Sequence, residues 1–164
     1  MKIGAFVGKF LPPHLGHVSQ IEKCLTYVDK LYVIVAEDPS RCAAICKSAG
    51  LEPIDGKLRV EWLKKHFEGS PKIVVDYLDE SGLKAFPEGL KEWSERFKSK
   101  FTDINVKFAD ETYRELNEKY FPECEFIAFD RTVIPISATM IRNDLKNNVN
   151  YVIEEAREYF KKYL

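Results

Sequence analysis

Five short runs rich in β-branched and aromatic residues, separated by stretches of helical period, constrain this chain more than any other feature. The runs are Lys2–Val7, Leu31–Glu37, Lys72–Leu78, Asn105–Ala109 and Glu125–Phe129. Between them Val18, Ile21, Leu25 and Val28 recur at three- and four-residue steps, a helix pattern that ends near Asp29. Leu58, Trp62, Leu63 and Phe67 mark a second stripe, Leu90, Trp93, Phe97 and Phe101 a third, and Tyr113, Leu116 and Tyr120 a fourth. Strands that alternate with helices pair in parallel, because each helix carries the chain back to the end where the next strand starts.

Right-handed crossovers then give a Rossmann-like, doubly wound parallel sheet of five strands with helices on both faces. Two helices are expected to close the chain, Ala138–Lys146 and Tyr151–Lys162, with Asn147 and Asn148 separating them. Pro39-Ser40 and the stretch from Gly50 to Gly56 mark the loop after the second strand, and Ser81-Gly82 with Pro87 to Gly89 the loop after the third. Both lie at carboxyl ends of strands, the edge where open α/β sheets bind ligands.

Composition excludes several function classes. With 164 residues, 45% of them hydrophobic, the chain is long enough for one domain with a real core. A net charge of -1, from 25 basic and 26 acidic residues, lacks the basic excess of a nucleic-acid binder. No apolar run approaches the roughly 20 residues of a membrane span, and no cleavable leader is evident, so the cytoplasm is the expected location. Cys24, Cys42, Cys46 and Cys124 have neither zinc-site spacing nor the density of a disulfide scaffold, and are read as free thiols.

Two segments carry chemistry. Gly8-Lys9-Phe10-Leu11-Pro12-Pro13-His14-Leu15-Gly16-His17 joins the first strand to a helix start, placing two histidines one turn apart where helix N–H groups favour an anion. Gly16 is expected to let a phosphate oxygen approach the backbone. In Ile136-Ser137-Ala138-Thr139-Met140-Ile141-Arg142, Ser137 is a helix N-cap, Thr139 lies in the first turn and Arg142 about one turn further on. Hydroxyls and a guanidinium there suit a triphosphate gripped from the side opposite the histidines.

These segments resemble the (H/T)-x-G-H and I-S-x-T-x-x-R signatures of the nucleotidyltransferase superfamily, and the chain carries both in full. Gly8-Lys9-Phe10, the helix from Leu58-Arg59 to Phe67, Asp79-Glu80-Ser81-Gly82 running to Pro87, Gly89 and Trp93, and Arg131-Thr132 extend the likeness. Together they resemble the nicotinamide mononucleotide adenylyltransferase domain of NadR-type bacterial proteins. Neither a G-x-x-x-x-G-K-[ST] kinase loop nor a DNA-binding helix-turn-helix accompanies them in these residues, so the expectation is a single nucleotidyltransferase domain over residues 1–164 with the HIGH-type fold.

The resemblance implies attack of the phosphate of nicotinamide mononucleotide on the α-phosphate of ATP, giving NAD and pyrophosphate. The attacking oxygen is already anionic, which accounts for a sequence with no evident Ser/His/Asp set or carboxylate pair. His14, His17, Lys9 and Arg142 are the expected catalytic groups. Phe6, Gly8, Phe10, Gly16, Ser137, Thr139, Asp130 and Arg131 are expected at ATP. Arg41, Glu80, Pro87, Trp93, Asp110 and Glu111 are expected at the nicotinamide nucleotide, with Trp93 stacked on its ring and Trp62 assigned to the core. Magnesium is expected to travel on the nucleotide phosphates, with no dedicated protein metal site. ATP and nicotinamide mononucleotide are the expected partners, without nucleic acid or membrane, and a homo-oligomer is left open. The alternatives are another adenylyl- or cytidylyltransferase, acting on a polyol phosphate, phosphopantetheine or flavin mononucleotide, or a non-catalytic nucleotide sensor.

Overall fold

The computed structural model describes residues 1–129 and 134–164. Its sheet comprises β1 (Ile3–Gly8), β2 (Lys30–Glu37), β3 (Ile73–Asp79), β4 (Val106–Ala109) and β5 (Glu125–Ala128), in the order β3-β2-β1-β4-β5. Every pairing is parallel, with Gly4 opposite both Leu31 and Val106, and Glu37 opposite Asp79. The chain steps outward from β1 through β2 to β3, then crosses back to place β4 on the other side of β1. Loops leaving β1 and β4 therefore diverge, and a crevice opens between them.

Side-chain alternation along the strands divides the core in two. Phe6, Val33, Val35 and Phe108 face a layer built from α1 (Leu15–Cys24), α2 (Pro39–Ser48), α3 (Gly56–His66), α6 (Ala138–Asn143), α7 (Leu145–Asn148) and α8 (Glu154–Phe160). Ala5, Ile34, Ala36 and Leu78 face Phe97 and Phe101 of α4 (Leu90–Lys100) and its C-cap, together with Phe121, the C-cap of α5 (Arg114–Tyr120). Trp62 is 6% exposed and packs edge-on against Tyr159, 5.4 Å between ring centroids. It is the core residue the periodicity implied.

Three local expectations fail. The segment after β2 is helical from Pro39: the Asp38 side chain accepts from the Ser40 N–H at 3.0 Å, and proline at the first helical position needs no N–H of its own. Read as a loop signal, Pro39-Ser40 is in fact a helix start. The expected helix over Ala138–Lys146 breaks at Asp144, whose φ of -151° is extended and whose side chain caps α7, so the Asn147-Asn148 pair lies inside α7 rather than between helices. The closing helix is shorter than its pattern, Glu154–Phe160, and runs into a 3-10 turn at Lys161–Tyr163.

Candidate active site

At the end of β1 the chain enters a tight loop in which Phe10 has φ of +51°, a left-handed conformation that side chains rarely adopt. Burial holds it there. Its ring is 1% exposed, 6.0 Å from Phe6 and 4.6 Å from the His17 imidazole. Behind the loop lies a polar group sealed from water. Arg59, on the otherwise apolar face of α3 with Trp62 and Leu63, is 0% exposed and pairs with the Glu37 carboxylate at the end of β2. Its Nη1 donates to the Lys9 carbonyl at 2.6 Å, and the Tyr77 hydroxyl donates to Glu37 at 2.9 Å. A side chain at Gly56 would collide with the Glu37 carboxylate, so α3 starts with the one residue that lets it come this close. A buried pair of this kind fixes geometry because neither partner tolerates losing the other.

Helix α1 starts on the two histidines themselves. The His14 Nδ1 accepts from the Gly16 N–H at 3.1 Å, and the His17 Nδ1 accepts from the His14 N–H at 3.1 Å. This is a capping box made of imidazoles. Because both Nδ1 atoms accept, a neutral ring carries its proton on Nε2, so both tautomers are set by the helix start. The rings stack at 3.7 Å. His14 is 5% exposed, and burial pulls its pKa down to about 4, leaving a neutral donor at physiological pH. Gly16 also makes room for the capping ring: the space a side chain would take is occupied by His14, whose Cε1 would lie 2.8 Å from an added Cβ.

The second motif packs against the first. Ser137 caps α6, its Oγ accepting from the Met140 N–H at 3.1 Å. Ile136 approaches Gly16 from the other side, at 3.3 Å from an added Cβ. Arg142 donates from Nη1 to the Leu11 carbonyl at 2.7 Å and from Nη2 to the Thr139 hydroxyl at 3.3 Å. Partial burial lowers the Arg142 pKa without threatening its charge. A bridge from His14 to Val152 and a bond from the Ile153 N–H to the Pro13 carbonyl at 3.2 Å complete the join. His14, His17, Ser137, Thr139 and Arg142 are thus gathered around one loop.

Beside Lys9 a cavity of about 630 Å³ runs under the crevice between β1 and β4. Lys9, Arg41, Glu80 and Trp93 line it, which unites four of the expected residues. Trp93 donates from its indole nitrogen to Glu80 at 2.7 Å, while one side of its ring stacks on Phe97 at 5.1 Å. Burial raises the Glu80 pKa. Arg41 is held by the Leu83 carbonyl at 2.9 Å and by Asp38 at 3.6 Å.

Other expected residues stand elsewhere. Phe6 and Phe10 are core side chains, 3% and 1% exposed, so any part they take at a nucleotide falls to their backbone. Pro87 is exposed and off the cavity wall. Asp110 caps the 3-10 turn Glu111–Tyr113 through the Thr112 N–H at 3.0 Å, and Glu111 is an exposed partner of Arg114 at 2.6 Å. Asp130 and Arg131 lie outside the described residues. Gly8 ends β1, where an added Cβ would press on the Phe10 ring at 3.3 Å. Among the described residues no group of three metal-ligating side chains converges. Nor is any described helix long and apolar enough to cross a membrane.

Sequence reasoning missed Arg59, Glu37 and Tyr77 as a supporting network, and it missed Lys107 and Asn117. Lys107 projects from the middle of β4 into the second core layer. It is 8% exposed, with its ammonium 4.1 Å from the Phe121 ring centroid, 4.2 Å from Phe97 and 4.9 Å from Trp93. Burial brings its pKa down to about 8. A charged residue inside a strand or an apolar helix stripe was the available signal in both cases.

Comparison with known proteins accords with this geometry. The trifunctional NAD biosynthesis/regulator protein NadR of Escherichia coli K12 is 27% identical over 96% of this chain, which spans only 40% of that protein. The phosphopantetheine adenylyltransferase of Dictyoglomus turgidum is 27% identical over 95% of this chain and 96% of its own length. A crystal structure of NadR protein in complex with NR superposes with a TM-score of 0.79 at 27% identity, covering 97% of this chain and 45% of that one. The family model described as cytidylyltransferase-like matches residues 5–144, from β1 through the Arg142 motif, and the chain belongs to that family, within the nucleotidyltransferase superfamily.

Proposed function

We propose that this chain transfers the adenylyl group of ATP to the phosphate of a pyridine mononucleotide, nicotinamide mononucleotide being the acceptor that the sequence resemblance implies. The observation that supports it best is the arrangement around the β1 loop. Two imidazoles with fixed Nε2 donors and the Arg142 guanidinium are held to the loop that follows β1, and Lys9 of the same loop lines a cavity sized for a nucleotide.

In this reading the triphosphate lies along His14, His17, Thr139 and Arg142, and the acceptor fills the cavity with its phosphate at Lys9. The acceptor's anionic oxygen attacks the α-phosphorus in line, the bond to the β-bridging oxygen breaks, and pyrophosphate leaves. No proton need be removed from the attacking oxygen. The protein's task is to hold two anions together and to meet the charge that grows on the leaving group. Neutral His14 donates through Nε2–H without itself adding a charge that would have to be desolvated, while Lys9 and Arg142 supply the fixed positive charge. Magnesium carried on the triphosphate supplies further neutralisation. An intracellular setting follows from these substrates.

The experiment is a panel of phosphate monoesters incubated with ATP and magnesium, scored by pyrophosphate release and by the mass of the product. Dinucleotide formation from a pyridine mononucleotide supports the reading. Turnover of phosphopantetheine alone overturns it in favour of the second acceptor, which the full-length match to a phosphopantetheine adenylyltransferase makes the rival to test. Nucleotide binding without turnover of any pair would indicate a sensor.

A further inference from the structure

The far end of the cavity is lined by two polar side chains whose donors the fold leaves without hydrogen-bond acceptors. Lys107 is 8% exposed and, among the described residues, makes no hydrogen bond and no ion pair; its neighbours are the rings of Phe121, Phe97 and Trp93. Asn117, on α5, is 7% exposed and its amide Nδ2 is buried with no acceptor. Both line the same cavity as Lys9 and Arg41. The three ring faces offset part of what the ammonium loses in hydration, but they accept no hydrogen bond in the ordinary sense, and the buried Asn117 N–H has no acceptor at all, so both donors remain unmet. A site that keeps two such donors on a cavity wall is complementary to something that accepts from both, and the ammonium favours an acceptor with a full negative charge.

We propose that Lys107 and Asn117 form a specificity subsite for a carboxylate at the end of the acceptor opposite its phosphate. This deepens the adenylyltransferase reading and rests on it. A pyridine mononucleotide in its acid form presents an anion at each end, phosphate towards Lys9 and Arg41, ring carboxylate towards Lys107 and Asn117. Its amide counterpart offers the two donors a single neutral carbonyl oxygen, with no negative charge to pair with the ammonium. Phosphopantetheine ends in a neutral thiol, which neither donor recognises. The order of acceptors is therefore the acid form ahead of the amide form, with phosphopantetheine last.

The test is a comparison of kcat/KM for nicotinic acid mononucleotide and nicotinamide mononucleotide, with ATP saturating, in the unmodified chain and in Lys107→Met and Asn117→Leu. The unmodified chain is expected to favour the acid at least tenfold. Lys107→Met should bring the ratio to about one by losing turnover of the acid while the amide rate changes by less than about threefold, and Asn117→Leu should move the ratio the same way by less. A structural role for Lys107 would lower both rates together and leave the ratio alone, which would overturn the proposal. So would an unmodified chain that favours the amide. If Lys107→Met does not fold, as judged by its thermal unfolding transition, the unmodified ratio and Asn117→Leu decide. Turnover of both pyridine nucleotides without preference sinks the subsite but leaves the adenylyltransferase reading standing; turnover of phosphopantetheine alone sinks both.

Discussion

The two ends of the crevice are built on opposite terms. Around His14, His17 and Arg142 the functional groups are already satisfied by the fold: each Nδ1 accepts a backbone N–H, and the guanidinium holds a loop carbonyl and a threonine hydroxyl. Around Lys107 and Asn117 the donors meet ring faces or nothing: the ammonium lies over Phe121, and the Asn117 amide N–H is buried without an acceptor. The first arrangement spends each side chain twice, once on structure and once on the remaining face it offers to phosphate. The second accepts an energetic penalty in the empty protein that a ligand can relieve. Groups that bind what every reaction of this type shares can be rigid, whereas groups that select one acceptor gain discrimination from being left unmet.

The sharpest way to break that comparison is to remove the network behind the β1 loop, which holds the Lys9 carbonyl. Arg59→Leu would leave Glu37 buried without a counter-charge and release the Lys9 carbonyl, so it is expected to destabilise the chain by about 3–5 kcal/mol in urea unfolding. Pairing it with Glu37→Gln should recover much of the loss. A loss below about 1 kcal/mol would mean that the network does not hold the β1 loop in place.

A smaller effect is expected at the satisfied end. His17→Ala should lower turnover about a hundredfold or more, the equivalent of ~2.7 kcal/mol, while the Kd for ATP changes far less, because the contact strengthens as charge moves onto pyrophosphate. Equal losses in binding and turnover would contradict a role confined to the transition state. Stereochemistry sharpens it further: inversion at the α-phosphorus fits direct attack, and retention would point to an adenylylated histidine.

His14 gives a test by pH. Its folded pKa of about 4 lies below the ordinary histidine value of 6.5, so below pH 6.5 the unfolded chain takes up a proton that the folded chain refuses. The associated stability is complete above about pH 6.5 and is lost as pH falls towards 4, with a ceiling of roughly 3 kcal/mol. His14→Asn, which keeps an N-cap, should show a shallower loss over that window in parallel denaturant titrations. Identical slopes would show that the buried imidazole does not titrate there. The smallest expected effect lies outside both ends: Glu111→Ala removes an exposed pair with Arg114 and should leave the urea midpoint unchanged within error and alter turnover by less than twofold.

What could be read from the sequence follows the same division. Strand positions and the parallel sheet were legible because burial imposes a period on apolar residues, and the two motifs because helix starts, hydroxyls and cations stand close together in the chain. Helix α2 was hidden because Asp38-Pro39-Ser40 carries the same residues as a turn. Arg59 and Lys107 were hidden because a charge in an apolar stripe reads as noise until its partners, or their absence, can be seen in space. Glu111 and Pro87 entered by likeness alone, and the structure places neither on the cavity wall. The acceptor end was the less legible because its groups come from β4, α4 and α5, each contributing one side chain with no spacing to betray it.

The bonds from Arg142 to Leu11 and from Ile153 to Pro13 have a consequence for synthesis. Leu11 and Arg142 stand 131 residues apart in the chain, so the contacts that shape the β1 loop form only after Arg142 and Ile153 have been made and have left the exit tunnel. Until then the loop that carries His14 and His17 lacks the carbonyl contacts that fix it, so its shape is among the last features of this fold to be set.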